Sequence, residues 1–530
     1  MGNRRQERDC PRRSDGVTRW DFPKDQSRRE QGHFDNACKV FLIAAPSHKT
    51  LITGMGMERR QPVMNVESAR RKQAFRSSGE EGRNPAGVEE ALVSPLRMNF
   101  VNQAVHLYSG EFSLEDGGEV FQLNGQVTLK WYPELKIEWV GTITGLGIPA
   151  EKAENLLEES VFRTYRLKTP TGFRGEAFIN RFNMERAELA GSVKNAFSQP
   201  LRPAERVHFS VVNFYGTAGE PIRHLNLIYR GRMRVRHGIY RLTFDQVHNY
   251  DETYRSLDEL GGYGVTHAGL IERTDRQPAD PKTINLLIDA LNWALSFNAG
   301  RSVGICSIHG SDASGGIFKQ YRVPAVDSWR NQANWCPGVE NDPEDKLGRL
   351  VESVMDKFMI PHWQQTLPRL LQWYLSSKSS GFTENRLVSV HAALVKLAWK
   401  VLVEEEQAIS AQEFESYTVD MQIRRLLQFC SIPAAIPRHT IRVGGYVDGP
   451  QLIAAYYRET IHANQRNLQA LSERDKEAIL QLGIQYLELA LLHLFGYSGL
   501  YNNLLVGGVH AGRLEPVPWT KRADSLKGYS

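Results

Sequence analysis

Residues 448–462, DGPQLIAAYYRETIH, and residues 472–496, SERDKEAILQLGIQYLELALLHLFG, decide how the C-terminal half of this 530-residue chain is read. In the second stretch Leu480, Ile484, Leu487, Leu491 and Leu494 recur at spacings of three and four, the signature of one helix face turned to a core. Ser472 followed by Asp475 makes a start resembling a capping box, and Gly496 stops the helix. In the first stretch Asp448-Gly449-Pro450 opens a helix, because proline at the first helical position gives up an N–H that has no partner anyway. Ile453, Tyr457 and Ile461 then form an apolar stripe. Arg458 and His462 stand four residues apart, one turn above the other, within reach of a common phosphate or carboxylate. Arg466 extends that face by another turn if the helix persists.

The helical period extends upstream from there. Ile284, Leu287, Ile288, Leu291 and Leu295 predict a core-facing helix over residues 283–299, followed by a short β-like insert over 302–322. Further helices are expected over 346–359, 362–376, 384–403 with Thr383 as N-cap, and 411–429, before a proline-rich break at 432–437. His391 lies near the stripe of the 384–403 helix without a second ligand at any metal-binding spacing, and reads as a buried structural histidine. The run Glu404-Glu405-Glu406 reads as a solvated helix end, since acid at a helix C-terminus opposes the dipole.

Between residues 99 and 274 the period is two. Alternating runs at 120–131 and 135–144, joined by Tyr132-Pro-Glu, read as a hairpin, with further strands at 175–181, 206–215 and 233–244 and one helix at 149–162. Gly145-Leu-Gly147-Ile-Pro-Ala150 fits a dinucleotide fingerprint, but the antiparallel-looking sequence around it supplies no buried parallel strand. It reads as a turn, as does Gly261-Gly-Tyr-Gly264.

Residues 1–97 carry 19 Lys+Arg against 13 Asp+Glu, net +6, while the rest of the chain carries 46 against 47, net −1. The formal +5 of the whole therefore belongs to this extension and does not argue for nucleic-acid binding by the body. With little periodicity, the extension is expected to be mostly disordered, and Met98 is a candidate true start. Five scattered cysteines form no Cys-x-x-Cys pair, so neither a disulfide framework, a zinc site nor any other metal or cofactor is expected, and the reading is cytoplasmic. The apolar run at 39–46 is too short to span a bilayer.

Several pieces carry a resemblance: Ala294-Leu-Ser-Phe with Gly300-Arg-Ser-Val, Trp373-Tyr-Leu, Ala392-Ala-Leu with Ala398-Trp399, Asp448-Gly-Pro, the run from Tyr486 to Tyr501, and Pro516-Val-Pro-Trp519. Through them residues 282–519 resemble bacterial proteins with a C-terminal HEPN-like helical domain of the ApeA type. The resemblance implies a self-pairing helical bundle and, in active members, a metal-independent endoribonuclease with an Arg-x4–6-His motif. His462 would move the ribose 2′-OH proton, Arg458 would neutralise the phosphate, and Arg466 would add a phosphate contact. Here the position five residues before His462 is Tyr457, so the pair present is Arg-x3-His. The expected fold is α+β: an antiparallel β-rich domain at 98–275 that senses a ligand or protein trigger, a helical domain at 276–519, and a polar tail at 520–530. Two functional readings stay open: a homodimeric, RNA-cleaving protein of bacterial defence or stress response, and a non-catalytic interaction module on the same scaffold.

Overall fold

The computed structural model describes residues 87–117, 119–144, 163–216, 219–330, 332–337, 346–439, 441–461, 471–506 and 512–520. The first 86 residues, the glycine turn and helix expected over 145–162, His462, Arg466 and the tail from 521 lie outside them.

Six strands come first: β1 (Val105–Asp116), β2 (Glu119–Lys130), β3 (Lys136–Ile143), β4 (Tyr165–Lys168), β5 (Arg174–Asn183) and β6 (Glu188–Ser198). They pair antiparallel in the order β3-β2-β1-β4-β5-β6, and β3 returns to pair with β6, closing a barrel. Alternation points one side chain in two inward. Phe112, Leu114, Leu123, Val127, Ile137, Trp139, Leu167 and Ile179 therefore fill the interior, with Trp131 and Trp139 fully buried.

Strand β6 has a second allegiance. Its last residues pair with β13 (Gly315–Arg322), and the sheet runs on as β13-β12-β7-β11-β10-β9-β8. These strands are β7 (Arg206–Val212), β8 (Glu220–His224), β9 (Leu227–His237), β10 (Tyr240–Gln246), β11 (Val265–Arg273) and β12 (Gly304–Asp312). The run expected as one strand over 233–244 is the β9–β10 hairpin. It turns at Gly238, whose φ of 54° suits glycine. The β-like insert at 302–322 is not peripheral to a helical domain: β12 pairs with β7, so this hairpin is the seam that joins barrel and open sheet.

One face of the open sheet, with Phe209, Val211, Val235, Leu242, Phe244 and Ile271, shares a core with α2 (Pro281–Ala299). α2 starts at Asp280, whose carboxylate accepts the Thr283 N–H, and stops at Gly300 in the left-handed conformation. An earlier helix, α1 (Tyr250–Leu260), links β10 to β11. The same core continues into α3 (Lys346–Met359), α4 (Thr366–Lys378), α5 (Thr383–Trp399), α7 (Val419–Phe429), α8 (Gly449–Ile461) and α9 (Glu473–Leu494), with short α6 (Ala411–Ser416) at its margin. A hairpin of β14 (Leu500–Asn503) and β15 (Arg513–Pro516) closes the chain. The class is α+β, and no helix among the described residues is long and apolar enough to cross a membrane.

One expectation needs correction, and another gains detail. Beyond Trp399 the α5 helix widens into a π turn, Lys400–Glu405, and the acidic run there is not simply solvated. Glu404 pairs with Lys400 and accepts the Trp399 indole N–H at 2.7 Å; Glu405 pairs with Lys357 at 2.5 Å and accepts the Trp363 indole N–H at 2.7 Å. The lysines and indoles offset the unfavourable end of the helix dipole. Of the extension read as mostly disordered, the last residues, 87–97, lie along the open sheet: Leu92 donates its N–H to Asp245 at 2.7 Å, Leu96 its own to Ser210 at 3.0 Å, and the Leu96 side chain is buried.

Candidate functional site

Helix α8 starts as its sequence dictates. The Asp448 carboxylate accepts the Gln451 N–H at 3.0 Å and pairs with Arg424 of α7 at 2.6 Å. The buried face of α8 is Leu452, Ile453 and Tyr456, while Ile461 is half exposed, so the packed stripe is rotated from the one that Ile453, Tyr457 and Ile461 suggest. Arg458 is exposed. Tyr457 lies against the body, its ring stacked on His391 of α5 with centroids 3.5 Å apart and planes 3° apart. Burial drives the His391 pKa down to about 4, so this imidazole is neutral at physiological pH, a flat packing partner. The described residues therefore bring Tyr457 to His391 and leave Arg458 at the surface; His462 and Arg466 lie outside them.

A larger feature lies on the neighbouring face of α9. Leu482, Gln485, Tyr486 and Leu489 follow one helix face and form one wall of a cleft of about 730 Å³. The chain leaving α7 supplies a second wall with Ser431, Ile432, Pro433 and Pro437, and the β14–β15 hairpin a third with Tyr501, Asn503, Glu515 and Pro516. The walls are braced by hydrogen bonds: Gln485 Nε2 donates to Tyr501 Oη at 3.3 Å, Tyr486 Oη to the Ala434 carbonyl at 3.1 Å, and Asn503 Nδ2 to Glu515 at 3.3 Å. Burial, then the Glu515 charge, pushes the Tyr501 pKa up to about 12, and burial raises Tyr486. Gln485 Oε1 is buried with no partner among the described residues. Among the described residues no Lys, Arg, His or Cys lines this space, and the one charged side chain among them is Glu515. The cleft can accept N–H donors beside an apolar surface.

A third cluster lies where sheet and helices meet. Glu488 of α9 is buried and accepts hydrogen bonds from Lys378 Nζ at 3.1 Å and Tyr374 Oη at 2.9 Å. Tyr374 also reaches the Asn334 side chain at 3.3 Å, Asn334 donates to the Asn298 carbonyl, and Asn298 accepts from Tyr215 at the end of β7. Burial, then the Glu488 charge, raises the Tyr374 pKa well above its usual value. Arg301 is buried nearby with its guanidinium 4.0 Å from the Trp329 ring and bonded to the carbonyls of Asn213 and Arg330. Burial lowers its pKa to about 10. Every charge here is held by a partner or a carbonyl fork, which suits a polar weld between the two halves. The signal for it stood in the sequence as one carboxylate, Glu488, inside the aliphatic run of α9.

Comparison with known proteins follows the same division. Residues 199–332 match the family model of the YopA central domain and residues 360–513 that of the YopA C-terminal domain. No solved structure matches the chain. These matches overturn the HEPN-like resemblance: every piece that suggested it except Pro516-Val-Pro-Trp519 falls within the two matched YopA domains. The physical reason is that the pieces behind it are packing positions. Ala294, Leu295, Tyr374, Leu394, Ala398, Leu487 and Leu491 are all buried, and small and aliphatic residues recur wherever helices pack closely. In sequence the chain is similar to YopA over its central sheet and its C-terminal half, and to the uncharacterised SPbeta prophage-derived protein YopA of Bacillus subtilis (strain 168), 29% identical over 439 residues that span 82% of this chain and 99% of that one.

Proposed function

We propose that the chain is a non-catalytic binding protein whose C-terminal cleft takes a ligand presenting N–H donors and positive charge beside an apolar surface. The observation that carries this reading is the lining of the cleft by the described residues: an amide oxygen with no partner among them, a single carboxylate and raised tyrosines among prolines and leucines, with no imidazole and no phosphate-binding cation among them. The use of Tyr457 and His391 for packing supports it, because the α8 register then serves the core. The relative's prophage origin and the cysteines Cys306, Cys336 and Cys430, none of them in a disulfide, fit a bacterial cytoplasm in a phage–host setting.

Two measurements test the reading. Full-length protein with RNA and a chelator across about pH 5–8 leaves the RNA intact; cleavage that disappears in His462→Ala or Arg458→Ala would overturn the non-catalytic assignment. Benzamidine, an aromatic amidinium, is the probe for the cleft. It raises the melting temperature of the unmodified chain and no longer does so in Glu515→Gln.

A further inference from the structure

We infer that the outer edge of the open sheet, at β8, is a docking site for an extended acidic segment of a partner protein, with residues 87–92 of this chain as the in-chain substitute. Strand β8 is the last in the sheet order, so its outward N–H and C=O groups need cover. The cover is polypeptide. Ala91 donates its N–H to the Arg223 carbonyl at 2.7 Å, and Arg223 donates its own to the Glu89 carbonyl at 2.9 Å, a parallel bridge centred on Glu90 and Arg223.

The side chains of this cover are acid set on arginine. Strand β9 places Arg232, Arg234 and Arg236 on alternate positions, so they share one face at intervals of roughly 6.8 Å. Glu90 pairs with Arg223 at 2.6 Å, and Glu89 bridges Arg232 and Arg234, the latter at 2.8 Å. Arg232 is already bonded through two nitrogens to buried Asp245, each at 2.7 Å, so the fold does not need Glu89 for that charge. Both glutamates are about two-thirds exposed, at 65% and 64%, so solvent screens their pairing with the arginines.

The cover also fits loosely. Between the strap and the sheet is a partly open pocket of about 260 Å³, lined by Leu92, Val93, Phe100, His224, Tyr229 and His248. The firm anchors lie further along the strap, where Ser94 Oγ meets Ser210 Oγ at 2.8 Å and Leu96 is buried. Residues 87–91 are held by polar contacts, among them Arg232 Nη2 donating to the Glu90 carbonyl at 2.7 Å, that a partner strand can replace in kind, so they can lift without unseating the rest. A partner segment of the same chemistry would add a strand to β8, set its acids on Arg223 and Arg234, and drop one side chain into the cavity. Polyphosphate is the poorer occupant, since it offers acceptors alone where the edge presents donor and acceptor in turn.

The test uses the full chain and a fluorescent peptide of residues 87–93, Gly-Val-Glu-Glu-Ala-Leu-Val, read by anisotropy. The Glu89→Ala/Glu90→Ala variant, its own strap weakened, binds the peptide about tenfold more tightly than the unmodified chain. Adding Arg223→Ala and Arg234→Ala returns binding to the unmodified level or below. A peptide with both glutamates replaced by glutamine binds at least tenfold more weakly to the same strap variant, a control that leaves the protein unchanged. Equal peptide affinity for unmodified and strap-variant protein overturns the proposal, as does indifference to the glutamine exchange. Displacement of the peptide by a short single-stranded RNA also overturns it, in favour of a polyanion site.

Discussion

The barrel and the open sheet are built from the same kind of antiparallel strand, yet they end differently. The barrel closes through β3 and β6, fills with Phe112, Trp131, Trp139 and their aliphatic neighbours, and leaves no strand edge to cover. The open sheet is fastened to the barrel on one side, backed by α2 on one face, and finishes at β8 under a thin acidic strap. It also contains what the barrel interior lacks among the described residues: paired buried charge at Arg232 and Asp245, and through α4 and α9 the Lys378–Glu488 pair. Closure gives a scaffold with few ways to respond, and an open edge gives a place where another chain can act.

The comparison can be broken at four points of decreasing size. Trp139→Ala removes a fully buried indole from a packed interior and should cost about 5 kcal/mol in chemical denaturation. A loss near 1 kcal/mol would mean that the barrel is not the rigid member. Lys378→Met strands Glu488 and should cost about 3 kcal/mol, with much of it recovered when Glu488→Leu is added; no recovery would show that the pair is not the weld we describe. The third concerns pH. His391 is held near 4 when folded and near 6.5 when unfolded, so the unfolded state takes up the proton first; the contribution is complete above about 6.5 and is lost as pH falls toward 4. His391→Phe keeps the stack on Tyr457 and should flatten the acid slope of stability by up to about 1.4 kcal/mol per pH unit in that window. Last, Glu89→Ala/Glu90→Ala should change global stability by less than about 1 kcal/mol while speeding amide exchange at Arg223 and Ala91, a local opening of the sheet edge.

How far these features could be read from sequence depends on the range of the forces behind them. The β2–β3 hairpin, the α2 helix with its cap, and α9 from Ser472 onward rest on alternation, stripes and local hydrogen bonds, and they stand close to where the pattern puts them. Gly238 escaped notice because a two-residue turn within a continuous β pattern barely disturbs alternation. The insertion of β12 and β13 between β6 and β7 is a pairing between distant strands that no local period encodes. The candidate site was harder. Arg458 stood out because a charge pair at helical spacing is easy to see, whereas the cleft is assembled from Gln485, Tyr501 and Glu515 on three separate elements. The strap was hidden in a segment whose composition suggests disorder, although Leu92, Ser94 and Leu96 are the residues that tie it down.

The seam hairpin also sets an order on synthesis. The barrel strands, β1 to β6, are all made before residue 199 and can close at once, each neighbour already available. Strand β7 cannot: its partner β12 begins about 90 residues later, roughly 5–20 s behind at ~5–20 residues per second. Through that interval the nascent chain carries a finished barrel beside a sheet with a raw edge at its centre, the moment at which strand-to-strand aggregation is easiest. Ribosome pausing or chaperone capture before residue 304 would therefore bear on the yield of this protein more than any event in the barrel, and recoding that speeds the stretch from 213 to 303 is the simplest way to shorten its exposure.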